Sequence, residues 1–489
     1  MSLSTGLNIA KSALAFVSLE TSVLSRNIAG ASDENYVRRD LNPLTVAGGG
    51  VQPSLISRAS NGALLRQYVD STSASAKQQA LVSGLDWLHQ TVANPELGLA
   101  PTEKLAALES ALTLYAESPN DPARANSVLA RANDLALSLN NSSNAIVEAR
   151  QKADAEMGAS VEKINQLLAD FEIVNTKIVR ANETRTDASE AYDQRDSILK
   201  QLSEEIGIRT IQREHDDIAI YTDSGVTLFE KHPRAVLFAP TNGFSPTTGG
   251  QVVYVDGVAV TGANAALPIK AGRLAGLAEL RDVATVTYQT QIDELARGVI
   301  ETFAETDPGS PPTLPALTGL FTYSGGPALP ASGAHYLGLA SEISVNPAID
   351  PTQGGSVDLI RDGGINGAAY LQNTTGAAGF NENILKHIDA LSGTRSFDSS
   401  AQSTTTDSIT GFAAASVSWI GLTRSSAHQD ADFQATLKAH TEVTLSNATG
   451  VNVDEEMANL LELERAFEAS ARLISAIDQM YATLLQAAG

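Results

Sequence analysis

From the third residue onward, apolar positions recur in steps of four and three: Leu3, Leu7, Ala10, Leu14, Val17, Thr21, Leu24 and Ile28, with only Thr21 breaking the apolar character. A repeat of 3.5 residues predicts an amphipathic helix with a coiled-coil seam. The same pattern closes the chain, where Leu460, Leu463, Phe467, Ala471, Ile474, Ile477, Tyr481 and Leu484 form a second ladder. Asp454, Glu455 and Glu456 fall in the expected first turn of that helix, where carboxylates suit the positive end of the dipole. Four-three spacing says helix and names no partner: each seam could close a core of the chain itself or meet another subunit.

Between the ends, helices are predicted at about 74–94 and 101–116, with Pro95 and Pro119 as stops. Asn120 or Asp121 can cap the next helix, and Pro122 suits its first turn. Its ladder runs Val128, Ala132, Leu135, Leu139, Ser142, Ile146, Ala149 and Ala153. After about one extra residue near Gly158 it resumes as Val161, Ile164, Leu168, Phe171, Asn175 and Ile178. At ~1.5 Å per residue, about 60 residues make a rod of about 90 Å. A further helix is expected at 192–208. Strand-like alternation follows, with hairpin signals at Asp223–Gly225 and Asp256–Gly257. Helical pattern returns from Gly272 to about Thr306, and again from Asn381 to the end.

The fold class that follows is mainly α with β insertions: an elongated helical bundle formed by both chain ends, with coiled-coil-like terminal helices and β-rich middle segments. The expected organisation is a terminal coiled-coil assembly domain (1–60 with 445–489) and a helical rod domain (61–306 with 379–444) including a β subdomain at about 208–271. An outer β-containing domain is inserted at 307–378, where Pro and Gly are frequent.

Composition narrows the functions. The 489 residues contain no cysteine, which removes disulfides and thiolate metal sites, and 33 basic against 56 acidic residues give a charge of −23. Such a chain repels phosphate backbones and anionic lipid, so no nucleic-acid partner is expected. No uninterrupted apolar run reaches the ~18–20 residues of a membrane span, and no membrane insertion is expected. The N-terminus lacks the basic n-region of a secretory signal, which points to a cytoplasmic chain or to export without cleavage.

Candidate chemistry is thin. His89, His215, His232, His335, His387, His428 and His440 form no metal-binding spacing, and the acidic run 214–217 reads as a turn. The glycines at 48–50 and 354–355 are followed by no Lys-Ser or Lys-Thr, and there is no GxSxG elbow. Asp193 and Asp196, at helical spacing among basic residues, read as a salt-bridged surface. Glu342, Asp350, Asp358 and Asp362 in the insert offer no defensible acid and nucleophile pair. No catalytic residue, cofactor or metal site is predicted.

Two terminal motifs carry a resemblance. Asn27-Ile28-Ala29, followed by Tyr36 and Arg38, resembles the N-terminal signature of flagellar rod, hook and hook-associated axial proteins, usually Asn-Ile-Ala-Asn and then Gly-Tyr-x-Arg-Gln. The chain departs from it at Gly30, Asn35 and Arg39, and Asn35 is expected to tolerate the left-handed backbone that Gly would supply. Val451, Asn452, Asp454, Glu455, Glu456, Asn459 and Leu460 are similar to the family's closing motif, with Glu464 and Phe467 where Gln and Tyr are usual. The stretches 192–208 and 272–282 resemble the junction members of the family. Rod and hook proteins lack the long helices, and flagellin lacks the Asn-Ile-Ala motif.

The resemblance implies a secreted structural subunit of the extracellular flagellum at the joint between hook and filament, exported unfolded through the flagellar type III pathway. It implies as partners further copies of itself in a ring or short helical assembly, the hook protein, the second junction protein, and an export chaperone on the C-terminal helix. It further implies that Leu3, Leu7, Leu14, Val17, Leu24 and Ile28 stay unpaired in the free chain, as do Leu460, Leu463, Phe467, Ile474, Ile477, Tyr481 and Leu484, and order against neighbouring subunits. The alternatives are another axial protein, such as the second junction protein or a hook subunit, or an exported axial protein with an enzymatic insert.

Overall fold

A computed structural model describes residues 3–45, 50–94, 98–309 and 311–488. Pro95 and part of the glycine run at 48–50 lie outside the described residues. The longest element follows the ladder: helix α4, Pro122–Thr184, is one continuous helix of 63 residues. Pro122 occupies its first turn, the Asp121 carboxylate accepts from the Ala123 N–H, and Arg185 ends it in the left-handed region at φ 55°. Every ladder residue from Val128 to Ile178 is buried. At ~1.5 Å per residue the helix is about 95 Å long.

Most of the other body helices pack on α4. α1, Leu3–Gly30, begins the chain and lies apart from the rod. α2, Gly62–Leu88, continues through a π-turn at His89–Ala93, and α3 spans Pro101–Glu117. α5 is Ser189–Glu205. α6, Arg273–Glu279, runs through a second π-turn, Leu280–Ala284, into α7, Thr285–Thr302. α8, Leu339–Glu342, and α9, Leu359–Asp362, are single turns, and α10 is Glu382–Ser392. α11, Ile409–Thr449, pairs along α2, and α12, Val453–Ala488, ends the described chain.

The expected hairpins form. Ile208–Gln212, Ile218–Thr222 and Thr227–Phe229 make an antiparallel meander, and Val236–Leu237, Tyr254–Val255 and Val258–Ala259 make another. The Phe171 ring of α4 meets Phe229 edge-on at 4.9 Å, seating the first meander on the rod. Arg281, fully buried, donates to the Gln251 carbonyl at 2.7 Å and pairs with Asp154 and Asp282, so the second meander is held by a satisfied buried charge network.

Segment 307–378 contains little strand: Phe321–Thr322 pairs with Ser344–Val345, and the rest is single turns and loops. Leu320, Phe321, Leu339, Ile343, Ile349 and Ile360 are buried in the same apolar cluster as α4. Asn140 of α4 donates to the Ala340 carbonyl at 2.7 Å. The acids of this segment serve local structure. Asp350 accepts from Thr352 N–H at 2.8 Å, Asp362 from Arg361 at 2.7 Å, and Glu342 from Ser324.

His387 of α10 is buried against Phe303, ring centroids 5.4 Å apart, and burial holds its imidazole down at about 4. The unfolded chain therefore takes up a proton near pH 6.5 that the folded chain refuses until about pH 4. Stability should fall by about 3 kcal/mol as pH drops through that window, at 1.36 kcal/mol per pKa unit. Urea titrations across pH 7 to 4 check it: His387→Phe should flatten that part of the profile.

Candidate assembly interface

The two terminal ladders meet each other. A Cβ at Gly6 would lie 3.5 Å from the Ile477 side chain, Glu20 faces Glu462, and Asn27 bonds Glu456, so α1 and α12 run antiparallel along their lengths. All eight ladder residues of α1 are buried or half-buried, Ala10, Val17 and Leu24 most deeply. On α12, Leu460, Leu463, Ala471, Ile474, Ile477 and Tyr481 turn inward, whereas Phe467 (48 % exposed) and Leu484 (56 %) do not. Ala466 and Ser470 take the inward positions near Phe467. The expectation that both seams wait unpaired for a neighbour is therefore not what the fold shows: they close on one another.

The pair is still far from a finished core. Leu461, Leu473, Met480 and Leu485 point to solvent along α12 beside Phe467 and Leu484. By composition alone α1 would also suit a membrane span, with a mean hydropathy of 1.2 over its best window. Here its apolar seam has a protein partner in α12.

The Asn-Ile-Ala…Tyr-x-Arg motif is the joint that fixes this pair to the rod. Asn27 is 1 % exposed and uses every valence of its amide. Its nitrogen donates to the Arg39 carbonyl at 2.9 Å and to the Glu456 carboxylate at 3.1 Å. Its oxygen accepts from the Tyr36 hydroxyl at 2.9 Å and the Arg39 N–H at 3.0 Å. One side chain thus joins the end of α1, the following loop and the start of α12. The Arg38 N–H donates to the Thr449 carbonyl at 2.8 Å, where α11 ends. Across the break at Gly450, Asn452 caps α12 by accepting from the Asp454 N–H at 3.1 Å. Asp454, Glu455 and Asn459 stay exposed, Val451 and Leu460 are half-buried, and Ile28 and Ala29 lie on the seam and the open side of α1.

Ion pairs carry the joint into α5. Arg39 donates to Asp193 at 3.1 Å, and Arg58 reaches Asp193 and Asp196 at 2.7 Å each. Asp193 is buried, so the expected salt-bridged surface is instead an interior bridge to two distant arginines. Burial pushes its carboxyl up, against the pull of Arg58 and Arg39. Arg39, a departure from the family's Gln, also lies over the Tyr36 ring at 4.8 Å. A short antiparallel ribbon, Pro43–Thr45 with Val51–Pro53, packs on α1, where Ser12 accepts from the Val51 N–H at 3.1 Å. Sequence reasoning missed this ribbon.

Two departures from the motif now have local accounts. Asn35 does not adopt the left-handed backbone expected of it; its N–H donates to the Asp33 carboxylate at 2.9 Å. At Gly30 a Cβ would come within 2.6 Å of the Tyr36 ring, so glycine lets the ring lie on the end of α1. Gly30→Asn, which restores the family residue, should push Tyr36 off Asn27 and destabilise the joint by about 1–3 kcal/mol. Hydrogen exchange at residues 20–30 reads the loss.

The acidic run 214–217 is a packed turn, with His215 and Asp216 at positive φ and Asp216 accepting from Tyr192 and Asn182. Among the described residues no group of three or more His, Asp or Glu side chains is placed to hold a metal.

Comparison with known proteins agrees with this architecture. Residues 87–307 match the family described as flagellar hook-associated protein FlgK helical domain, and 446–487 match the flagellar basal body rod FlgEFG protein C-terminal family. Flagellar hook-associated protein 1 of Bacillus subtilis (strain 168) is 21 % identical over 530 residues, covering 99 % of this chain and 98 % of that protein. The protein of the same name from Escherichia coli (strain K12) is 23 % identical over 308 residues, 61 % of this chain and 55 % of that one. In fold the chain is similar to the flagellar hook junction protein FlgK from Burkholderia pseudomallei. The TM-score is 0.56 at 14 % identity, over 78 % of this chain and 99 % of that one.

Proposed function

We propose that this chain, related along its whole length to flagellar hook-associated protein 1, is a structural subunit that joins the flagellar hook to the filament. The observation that carries the reading is the combination of that end-to-end relation with an exposed antiparallel terminal pair locked to a long helical rod. A rod fixed at one end to a pair of helices that still presents apolar residues to solvent is built to be stacked beside copies of itself. The partners are accordingly other copies of this chain, the hook protein below and the second junction protein above, on the outside of the cell. The chain acts as a structural part and catalyses no reaction.

Export unfolded through the flagellar type III pathway suits an α12 whose apolar residues lie at i, i+3, i+4 and i+7. A small helical chaperone takes such a face into a groove before assembly. Labelling the chain on sheared flagella with gold-conjugated antibody tests the reading. Label confined to the boundary between hook and filament is the expected result. Label along the hook or rod, or none on the flagellum, would overturn it.

A further inference from the structure

Where α5 leads into the first meander, the sheet is left with an open edge. Ile208–Gln212 is its outer strand, and Ile218–Thr222 lies in the middle. The Asp223 N–H donates to the Gly207 carbonyl at 2.9 Å and the Arg213 N–H to the Asp217 carbonyl at 2.7 Å. With Arg209 opposite Tyr221 and Ile211 opposite Ala219, these bonds set the phase of the ladder. Odd positions turn their backbone groups toward the sheet, and Ile208, Thr210 and Gln212 turn theirs outward. On that side the backbone N–H and carbonyl groups of Thr210 and Gln212 have no protein partner among the described residues.

The strand forms one wall of a cleft of about 1930 Å³ between α2, α5, the end of α11 and the loop that follows α1. Carboxylates crowd this cleft. Glu34 of the loop, Glu204 of α5 and Glu442 of α11 all bear on Tyr68 of α2, whose hydroxyl is pushed up by burial first and then by these charges. Asp223 stands against Gly207, and Asp70 feels both Asp223 and Arg209; burial pushes both carboxyls up. Among the described residues none of these five acids forms an ion pair. On the same wall Arg58 is already held by Asp193 and Asp196, and Arg195 by the Asn175 side chain and the Asp216 carbonyl. Of the cations lining the cleft, Arg66, Lys200 and Arg209 are left to answer the five carboxylates.

We propose that this cleft receives an extended, Lys- or Arg-bearing segment of a neighbouring axial protein other than this chain, which adds a strand to the open edge at Thr210 and Gln212. This rests on the junction-subunit reading and deepens it, by giving the chain a docking site for an unlike neighbour. Unpaired edge groups accept extended backbone of any sequence, and the acidic walls select a basic one. The edge is only five residues long and carries Arg209, which holds indiscriminate pairing back. A second copy is the wrong occupant. The long irregular stretches 239–271 and 307–378 of this chain hold Lys270 and Arg361 as their only Lys or Arg, and Arg361 is already paired with Asp362.

A benzophenone-bearing residue at Gln201, an exposed position of α5 on the cleft wall, tests the site. The full chain carries it into assembled flagella, which are isolated, irradiated and digested. The expected cross-linked peptide comes from another axial protein and contains Lys or Arg. Thr210→Pro removes an outward N–H and spares the bonds of Arg209 and Ile211 to the sheet. It should melt as the wild type does and lower the cross-link at least about tenfold. Glu204→Lys with Glu442→Lys, both at exposed positions, should lower it to a similar degree, and decides the matter if the proline variant misfolds. No cross-link, cross-links chiefly between copies of this chain, or a wild-type yield from the charge variant or from a folded Thr210→Pro chain would overturn the proposal. Gold label still confined to the boundary between hook and filament would then leave the junction-subunit reading standing, and label elsewhere would sink that reading too.

Discussion

Asn27→Ala should release the terminal pair from the rod without unfolding the rod. The substitution leaves the Tyr36 hydroxyl, both backbone groups of Arg39 and the Glu456 carboxylate without their shared partner. Each buried group left unsatisfied costs about 1–3 kcal/mol, so a joint loss of roughly 3–5 kcal/mol is expected after partial rehydration. Hydrogen exchange should accelerate through α1 and the first turns of α12, while the buried face of α4 keeps its protection. Asn27→Asp is the sharper variant. It keeps the shape, removes two donors and sets a carboxylate against Glu456 at the position of a 3.1 Å hydrogen bond. Its loss should be at least as large at neutral pH and partly recovered as the solution is acidified, when one of the two carboxyls takes a proton. Wild-type protection in both variants would contradict the role given to this side chain.

The second large effect belongs to the seam. Leu463→Asp and Ile474→Asp each put a carboxylate at a half-buried position where α12 meets α1, and an unpaired charge drawn out of water there costs about 2 kcal/mol or more. Both variants should lose the antiparallel pair, and with it polymerisation on hooks, by roughly two orders of magnitude or more. They should also weaken binding of the export chaperone proposed for α12, read by co-purification of the full chain with it. Leu485→Asp, at a position that is 73 % exposed and outside the seam, serves as the control and should leave the pair intact. If the two seam variants assembled as the wild type does, the pair would have no part in assembly.

Much of this architecture is legible in the chain because its signals are long and regular. The α4 ladder repeats through fourteen positions, and each is buried. Asp223–Gly225 and Asp256–Gly257 mark their hairpins because turn chemistry is local. What the sequence hides is partnership. Periodicity showed a seam at each end, but not that Gly6 would lie on Ile477. Extending a strict 3.5-residue step through α12 put Phe467 and Leu484 inside. Drift toward 3.6 residues per turn accounts for Leu484 at the end of the ladder but not for Phe467, since Leu460 and Ile474, seven residues to either side, stay inward; Ala466 and Ser470 are the half-buried positions near it. Arg39 looked like a deviation from a motif until the fold brought Asp193 and the Tyr36 ring to it. The ribbon at 43–53 is two strands of three residues, too short for alternation to register.

The most direct test of the central claim is a strain deleted for this chain, with its cell surface and its culture medium examined together. Hooks that are present but bare, with unpolymerised flagellin accumulating in the medium, are the expected result, and the wild-type chain should restore filaments where Asn27→Asp does not. Normal filaments on the deleted strain, or cells without hooks, would contradict a subunit that joins hook to filament.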